Sequence, residues 1–198
     1  HQCDLLNCSH VRELVDSLEG NSWEIVFLAA INKWKENSYR AFCDNLRMVK
    51  NVGEAVRLNA SKISSFLYSS SVDVYGRSPA LPLTEETIPN PVSWYGVSKY
   101  VGERMLLDIE PCTIPVTVLR LPGIFGKSKN DRSIIGKFVD SVLLNRTIHL
   151  TAKGQVRRDF VFVEDVCRLI MTSAQLDFSG VLNVATGISI PMCKIVDL

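Results

Sequence analysis

The chain has 198 residues, a net charge of +1, 46% hydrophobic residues and 22% charged ones. That is enough for one substantial domain, with or without a small appendage, and it suits a globular core. The near-neutral balance excludes a gross electrostatic footprint for nucleic acid or a membrane surface, and the longest apolar stretches are strand-sized, too short to span a bilayer. No secretory leader pattern is visible. Cys3, Cys8, Cys43, Cys112, Cys167 and Cys193 form no C-x-x-C pair, and His1, His10 and His149 do not cluster with them. No metal site is expected, and reduced thiols in a cytoplasmic protein are the expectation. Asn7, Asn59 and Asn145 each begin a glycosylation triplet of a kind common by chance.

In chain order the pattern alternates strand with helix, which predicts an α/β fold with a parallel sheet. Residues 3–6 read as the end of a strand. Val11, Leu14, Val15 and Leu18 keep helical spacing, and Gly20 closes that helix. Residues 24–30 read as a buried strand ending in small side chains. A long helix is predicted over 39–58, with Leu46, Val49, Val52 and Val56 among its apolar positions. Residues 63–68 form the next strand. The stretch 76–91 holds Pro79, Pro82, Pro89 and Pro91 and cannot be helix. A second long helix covers 93–108, and 116–121 is a strand. Residues 127–132 are a charged, mobile-looking insert. Helix is predicted over 134–144 and 164–174, and short strands over 147–150, 160–163 and 181–184. Residues 194–198 read as the start of a further helix. No internal repeat is present.

The chemistry concentrates at Tyr95 and Lys99, which stand four apart in Tyr95-Gly96-Val97-Ser98-Lys99 and so share one helix face. A tyrosine hydroxyl ordinarily titrates near ~10 and is a poor base at neutral pH. An ammonium beside it favours the phenolate. Alone, such a pair is most often a chance surface pair. Here the strand Phe66-Leu67-Tyr68 runs straight into Ser69-Ser70-Ser71, and a serine hydroxyl can hold a substrate oxygen while the proton moves. Together these groups make a proton-transfer site for oxidising an alcohol or reducing a carbonyl.

The ordered set of motifs resembles the NAD(P)-dependent epimerase/dehydratase family, the extended short-chain dehydrogenases. The resemblance rests on Asp4-Leu5, Phe27-Leu28-Ala29-Ala30, Asp44-Asn45, Ser69-Ser70-Ser71 with Val74-Tyr75-Gly76, and the Tyr95–Lys99 motif. It continues through Leu119-Arg120-Leu121-Pro122-Gly123-Ile124-Phe125-Gly126, Arg158-Asp159-Phe160-Val161-Phe162-Val163-Glu164-Asp165-Val166 and Leu182-Asn183-Val184-Ala185-Thr186-Gly187. It implies a Rossmann-like doubly wound parallel sheet over 1–126, truncated at the N-terminus. Residues 127–198 would be part of a substrate-binding region interleaved with late Rossmann elements.

The resemblance also implies roles. Ser71 would be the catalytic hydroxyl and Tyr95 the acid/base. Lys99 would bind the cofactor ribose and lower the Tyr95 pKa. Asp4 and the Leu5 backbone would contact adenine, and Leu28, Ala29 and Ala30 would pass close to the ribose and phosphates. The alanine pair could equally serve tight helix–sheet packing. Asn45 and Ser69 would support the cofactor-side loops, and Leu121 and Pro122 would border the nicotinamide. Arg158 would pair with a substrate phosphate, or is a surface cation beside Arg157. The implied cofactor is NAD, with NADP not excluded. The implied substrate is a nucleotide sugar, and the implied partner is a second copy joined through the two long helices.

Three departures from the family pattern matter. Family dehydratases carry an acid, usually Glu, just before Val-Tyr-Gly. Asp73 stands there, one methylene shorter, and Val72 is apolar. A carboxylate that caps the local backbone is the stronger reading of Asp73 than a catalytic one. Gly123 stands where many nucleotide-sugar enzymes place a substrate-contacting Asn. No Gly-x-x-Gly-x-x-Gly turn occurs in the chain, although that turn holds the cofactor pyrophosphate. Two expectations follow: an epimerase/dehydratase whose polypeptide extends at both ends, or a cofactor-poor remnant acting through a partner subunit.

Overall fold

A computed structural model describes residues 2–77, 81–108, 114–127, 133–174 and 178–196. Pro79, Cys112 and 128–132 of the charged insert lie outside the described residues, as do His1, Asp197 and Leu198. The elements in chain order are α1 (Cys8–Asp16), β1 (Trp23–Phe27), α2 (Tyr39–Leu58), β2 (Ile63–Ser71), α3 (Trp94–Leu107), β3 (Val116–Leu121), β4 (Gly123–Phe125), α4 (Ile134–Leu143), β5 (Arg157–Arg158), β6 (Phe160–Phe162), α5 (Val163–Ala174), β7 (Gly180–Asn183), β8 (Ile190–Pro191) and α6 (Met192–Val196). Among the described residues, no helix is long and apolar enough to cross a membrane.

The chain divides into two compact units. The first comprises His1–Arg120 and Ile170–Asn183. Its sheet has the order β1-β2-β3-β7. Strand β1 runs parallel to β2 with Phe27 opposite Tyr68, and β3 runs parallel to β7 with Thr117 opposite Gly180. Sheets of this kind are covered on both faces, so their strands read as continuous apolar runs rather than alternating ones. Phe66, Leu67, Tyr68, Val118 and Leu119 are all buried. Helices α1 and α3 both pack on α2, and Val11, Val49, Val52, Ala55, Phe66 and Leu106 belong to one apolar cluster.

Helix α2 starts where Ser38 Oγ accepts the Ala41 N–H at 3.1 Å, and Ser93 Oγ caps α3 through the Gly96 N–H at 3.0 Å. Each cap satisfies a donor that the first helical turn leaves open. The two helices approach closely at Gly102, where a Cβ would come within 2.6 Å of the Tyr68 hydroxyl and 3.3 Å of Val49 Cγ2.

The expected strand at 3–6 is instead a turn. Asp4 Oδ1 accepts the Leu6 N–H at 3.0 Å, and the Asp4 carbonyl accepts the Asn7 N–H at 3.0 Å. A local carboxylate acceptor competes with a ladder for those backbone donors. Strand β1 ends at Phe27, so Leu28–Ala30 lie in the loop beyond it, whereas β2 continues through all three serines. No strand forms over 147–150.

The second unit comprises Leu121–Leu169 and Val184–Leu198. Strands β4 and β6 pair in parallel, Gly123 opposite Phe160, and β5 and β8 pair antiparallel, Arg157 opposite Pro191. Asp159 ties the turn at 186–187 in place, accepting the Thr186 N–H at 3.0 Å, the Gly187 N–H at 2.9 Å and the Thr186 hydroxyl at 2.6 Å.

Candidate active site

The candidate site forms in the first unit at the carboxyl ends of β1 and β2, the region where open parallel sheets bind ligands. Ser69 ties the two strand ends together by donating its hydroxyl to the Phe27 carbonyl at 3.2 Å. Beyond β2 the chain enters a 3₁₀ turn over Val72–Tyr75, and Ser71 Oγ caps it by accepting the Asp73 N–H at 3.1 Å. The first turn of α3 lies against this turn. A Cβ on Gly96 would come within 2.7 Å of the Asp73 carbonyl oxygen, so this approach needs glycine. Tyr95 is thereby brought beside Ser71, whose hydroxyl favours the phenolate.

Lys99, one helical turn further along, is 3% exposed. Its Nζ donates to the Ser69 carbonyl at 2.6 Å and lies 4.7 Å from the Tyr68 ring centroid and 5.8 Å from that of Tyr95. Burial pulls the Lys99 pKa down to about 8, while the Glu103 carboxylate opposes that fall. Tyr95 moves the opposite way from the sequence expectation. Burial, reinforced by the Asp73 charge, pushes it up to about 12, against the opposing pull of the Ser71 hydroxyl. Desolvation disfavours each charged form, and it is the largest cause of both shifts.

Asn45 links the loop after β1 to α3. Its Oδ1 accepts the Ile31 N–H at 2.7 Å, and its Nδ2 donates to the Ile31 carbonyl at 3.0 Å and to Ser98 Oγ at 3.2 Å. Ser98 in turn donates to the Tyr95 carbonyl at 2.8 Å. The loop that carries Leu28, Ala29 and Ala30 is therefore held at a fixed distance from Tyr95; Leu28 and Ala29 are exposed and Ala30 half-buried. Asp4 is exposed, and the Leu5 carbonyl is anchored by buried Asn51 Nδ2 at 2.9 Å.

Sequence reasoning missed a polar group behind the serines. Glu103 accepts the Ser70 hydroxyl and two Arg120 donors, Nε at 3.1 Å and Nη2 at 2.7 Å. Arg120 also donates to the Tyr75 hydroxyl at 2.8 Å, and that hydroxyl reaches Asn183 Oδ1 at 2.6 Å. Two signals could have found it. Glu103 follows Tyr95 and Lys99 at the same spacing of four, and Arg120 interrupts the apolar run of β3, where an unpaired charge is prohibitively costly. Lys33 was missed as well. Its Nζ meets Asp73 Oδ2 at 2.5 Å.

The remaining candidates lie in the second unit. Leu121, Pro122 and Gly123 are half-buried. A Cβ on Gly123 would come within 2.9 Å of the Phe160 ring, which leaves no room there for an asparagine side chain without rearrangement. Arg158 is exposed. Its neighbour Arg157 is the one held in place, donating Nε to Ser189 Oγ at 3.1 Å.

The architecture is a parallel α/β sheet of the Rossmann type with polar groups gathered at its carboxyl edge. Residues 1–185 match the NAD dependent epimerase/dehydratase family, and the chain belongs to that family. It is 33% identical over 123 residues to a putative UDP-glucose 4-epimerase of Methanocaldococcus jannaschii, covering 60% of this chain and 40% of that one. It is 28% identical over 203 residues to the GDP-6-deoxy-D-talose 4-dehydrogenase of Aggregatibacter actinomycetemcomitans, covering 98% of this chain and 66% of the relative. In fold it resembles the UDP-N-acetylglucosamine 4-epimerase of Methanobrevibacter ruminantium M1, solved with UDP-N-acetylmuramic acid. The TM-score is 0.86 at 24% identity, over 98% of this chain and 63% of that one. The chain spans about half the length of the first relatives it matches, 52%, 40% and 49% of them.

Proposed function

We propose that this chain is the core of an oxidoreductase-type enzyme that oxidises a hydroxyl of a nucleotide sugar at C4, with epimerisation as the overall reaction. The observation that carries the reading is the seating of the first turn of α3 against the turn that follows Ser71, with the buried ammonium of Lys99 5.8 Å from the Tyr95 ring centroid. The nucleotide-sugar substrate class is supported by what the related epimerases and the dehydrogenase act on. Asp73, already paired with Lys33, is assigned to the local structure of the turn and not to dehydration.

The residues fit a nicotinamide cofactor. Lys99 makes one hydrogen bond among the described residues, and an ammonium has three donors, so donors remain that a bound ribose could take. A bound nicotinamide would supply the reversible hydride acceptance that oxidation of the sugar carbon requires. Ser71 holds the sugar hydroxyl, and Tyr95 removes its proton as the carbon–hydrogen bond breaks. Tyr95 hands the proton back when the carbonyl is reduced from its other face. Lys99 orients the ribose and stabilises the phenolate electrostatically. Asp4, Leu5, Leu28, Ala29 and Ala30 are assigned to the cofactor, as are Leu121 and Pro122, and Arg158 to the substrate phosphate.

The test is calorimetric titration of NAD into the protein, followed by turnover of UDP-glucose. Binding with Tyr95-dependent turnover supports the reading, and a folded polypeptide that binds no NAD refutes it.

We further propose that the protein works in the cytoplasm as a homodimer through α2 and α3. A cavity of about 440 Å³ between these helices is lined by Val49, Gly53, Val101 and Met105, and ringed by charges of both signs, including Lys50, Glu54, Arg57 and Arg104. A second copy related by a two-fold axis can match such a mixed surface. Analytical ultracentrifugation should give a dimer that Gly53→Arg converts to a monomer. A monomeric parent chain would contradict the assembly.

A further inference from the structure

Lys33 sits on the loop that leaves β1, outside every sequence motif described above. Its side chain is 29% exposed and that of Asp73 is 24% exposed, so the 2.5 Å contact is partly shielded from water. Shielding strengthens the pairing of two opposite charges. The Asp73 backbone packs against the first turn of α3. Its N–H is held by Ser71 Oγ at 3.1 Å, and its carbonyl oxygen lies 2.7 Å from where a Gly96 Cβ would stand. The Asp73 backbone thus lies next to Tyr95 while its carboxylate is held by Lys33, and its negative charge opposes ionisation of Tyr95.

We infer that Lys33 is a positioning residue of this site, whose ammonium fixes the Asp73 carboxylate and offsets its charge beside Tyr95. Among the described residues, the other groups that face Tyr95 do not pair the Asp73 carboxylate. Ser71 and Tyr68 come from β2 and are neutral. Lys99 comes from α3 itself, is committed to the Ser69 carbonyl, and lies 5.8 Å from the ring centroid. Glu103 and Arg120 neutralise each other one layer deeper. Part of the electrostatic task that the motif assigns to Lys99 thus falls to a loop lysine on a different element. An acidic residue before the Val-Tyr-Gly turn is compatible with Tyr95 chemistry because Lys33 is there to pair it.

The inference rests on Tyr95 as the proton-transfer group, and its test needs no turnover, so a failure to find activity is a separate result. Tyrosines are replaced by a ring-fluorinated analogue that ionises at lower pH. The Tyr95 signal is then assigned in the fluorine NMR spectrum with Tyr95→Phe. Lys33→Met and Lys33→Gln should each raise the midpoint of the Tyr95 titration by about one pH unit, the lower end of what a nearby charge does. Lys33→Arg should leave it near the parent value. Combining Lys33→Met with Asp73→Asn should bring it back to that value or below. A midpoint unmoved in both neutral variants, or a rise that persists when Asp73 is also neutralised, overturns the inference.

Discussion

Replacing Glu103 with Leu should be among the most destabilising single changes in the first unit. The Glu103 and Arg120 side chains are 2% and 5% exposed, and Glu103 accepts two hydrogen bonds from the guanidinium as well as the Ser70 hydroxyl. Glu103→Leu strands a guanidinium in the interior, and Arg120→Met strands a carboxylate. Breaking one side of a buried pair costs about 3–5 kcal/mol, against a total stability of roughly 5–15 kcal/mol for a domain. At about 2 kcal/mol per molar urea, such a loss moves the unfolding midpoint by about 2 M. The assay is equilibrium urea unfolding followed by the fluorescence of Trp23, Trp34 and Trp94. Combining Glu103→Leu with Arg120→Met leaves no unpaired charge and should cost far less than the two single changes added together. A single-variant loss below about 1 kcal/mol, or strict additivity in the double variant, would refute the pair as a buried, mutually dependent unit.

Lys99 should leave a signature in the pH dependence of stability. Its folded pKa of about 8 lies below its ordinary 10.5. Between those values the unfolded chain binds the proton that the folded chain has released, so stability rises with pH across that window. Lys99→Met should abolish the rise, which spans roughly 3 kcal/mol at most; a rise that persists in this variant would assign it to another group. Tyr95, raised to about 12 from 10, has the opposite sign. Stability falls between those values, and Tyr95→Phe should flatten that fall, as urea midpoints at several pH values would register. Gly102→Ala gains about 1 kcal/mol of helix propensity but drives a Cβ to within 2.6 Å of the Tyr68 hydroxyl. Overpacking costs about 1–3 kcal/mol, so the melting temperature should fall; an unchanged or higher one would contradict the close seating of α3.

What the sequence revealed depended on whether the deciding contact was local. The bounds of α2 were readable because Ser38 caps its start and Val49, Val52 and Val56 mark its buried face within one segment. Strand β3 was readable as a short β-branched and apolar run broken only at Thr117 and Arg120. The family was readable because many short motifs occur in order along the chain. Strands β4, β5 and β8 escaped notice because two or three residues become strand only through a distant partner. Residues 3–6 misled because apolar neighbours suggested a strand while Asp4 offered its own acceptor to the backbone. In the site, Ser71, Tyr95 and Lys99 stood out by spacing. Lys33 did not, since its partner Asp73 lies forty residues away. The Tyr95–Lys99 spacing showed proximity but not the balance between desolvation and charge. Burial decides that balance, and a one-dimensional pattern does not contain it.

The most direct test of the central account is rapid mixing of the NAD-loaded protein with UDP-glucose, while the absorbance of reduced nicotinamide is followed. The account predicts a transient rise that Tyr95→Phe slows by at least about a hundredfold, the lower range for loss of a general acid–base group, with NAD affinity nearly unchanged. A Tyr95→Phe variant that reduces the cofactor at the parent rate would contradict it, because proton transfer would then belong to another residue.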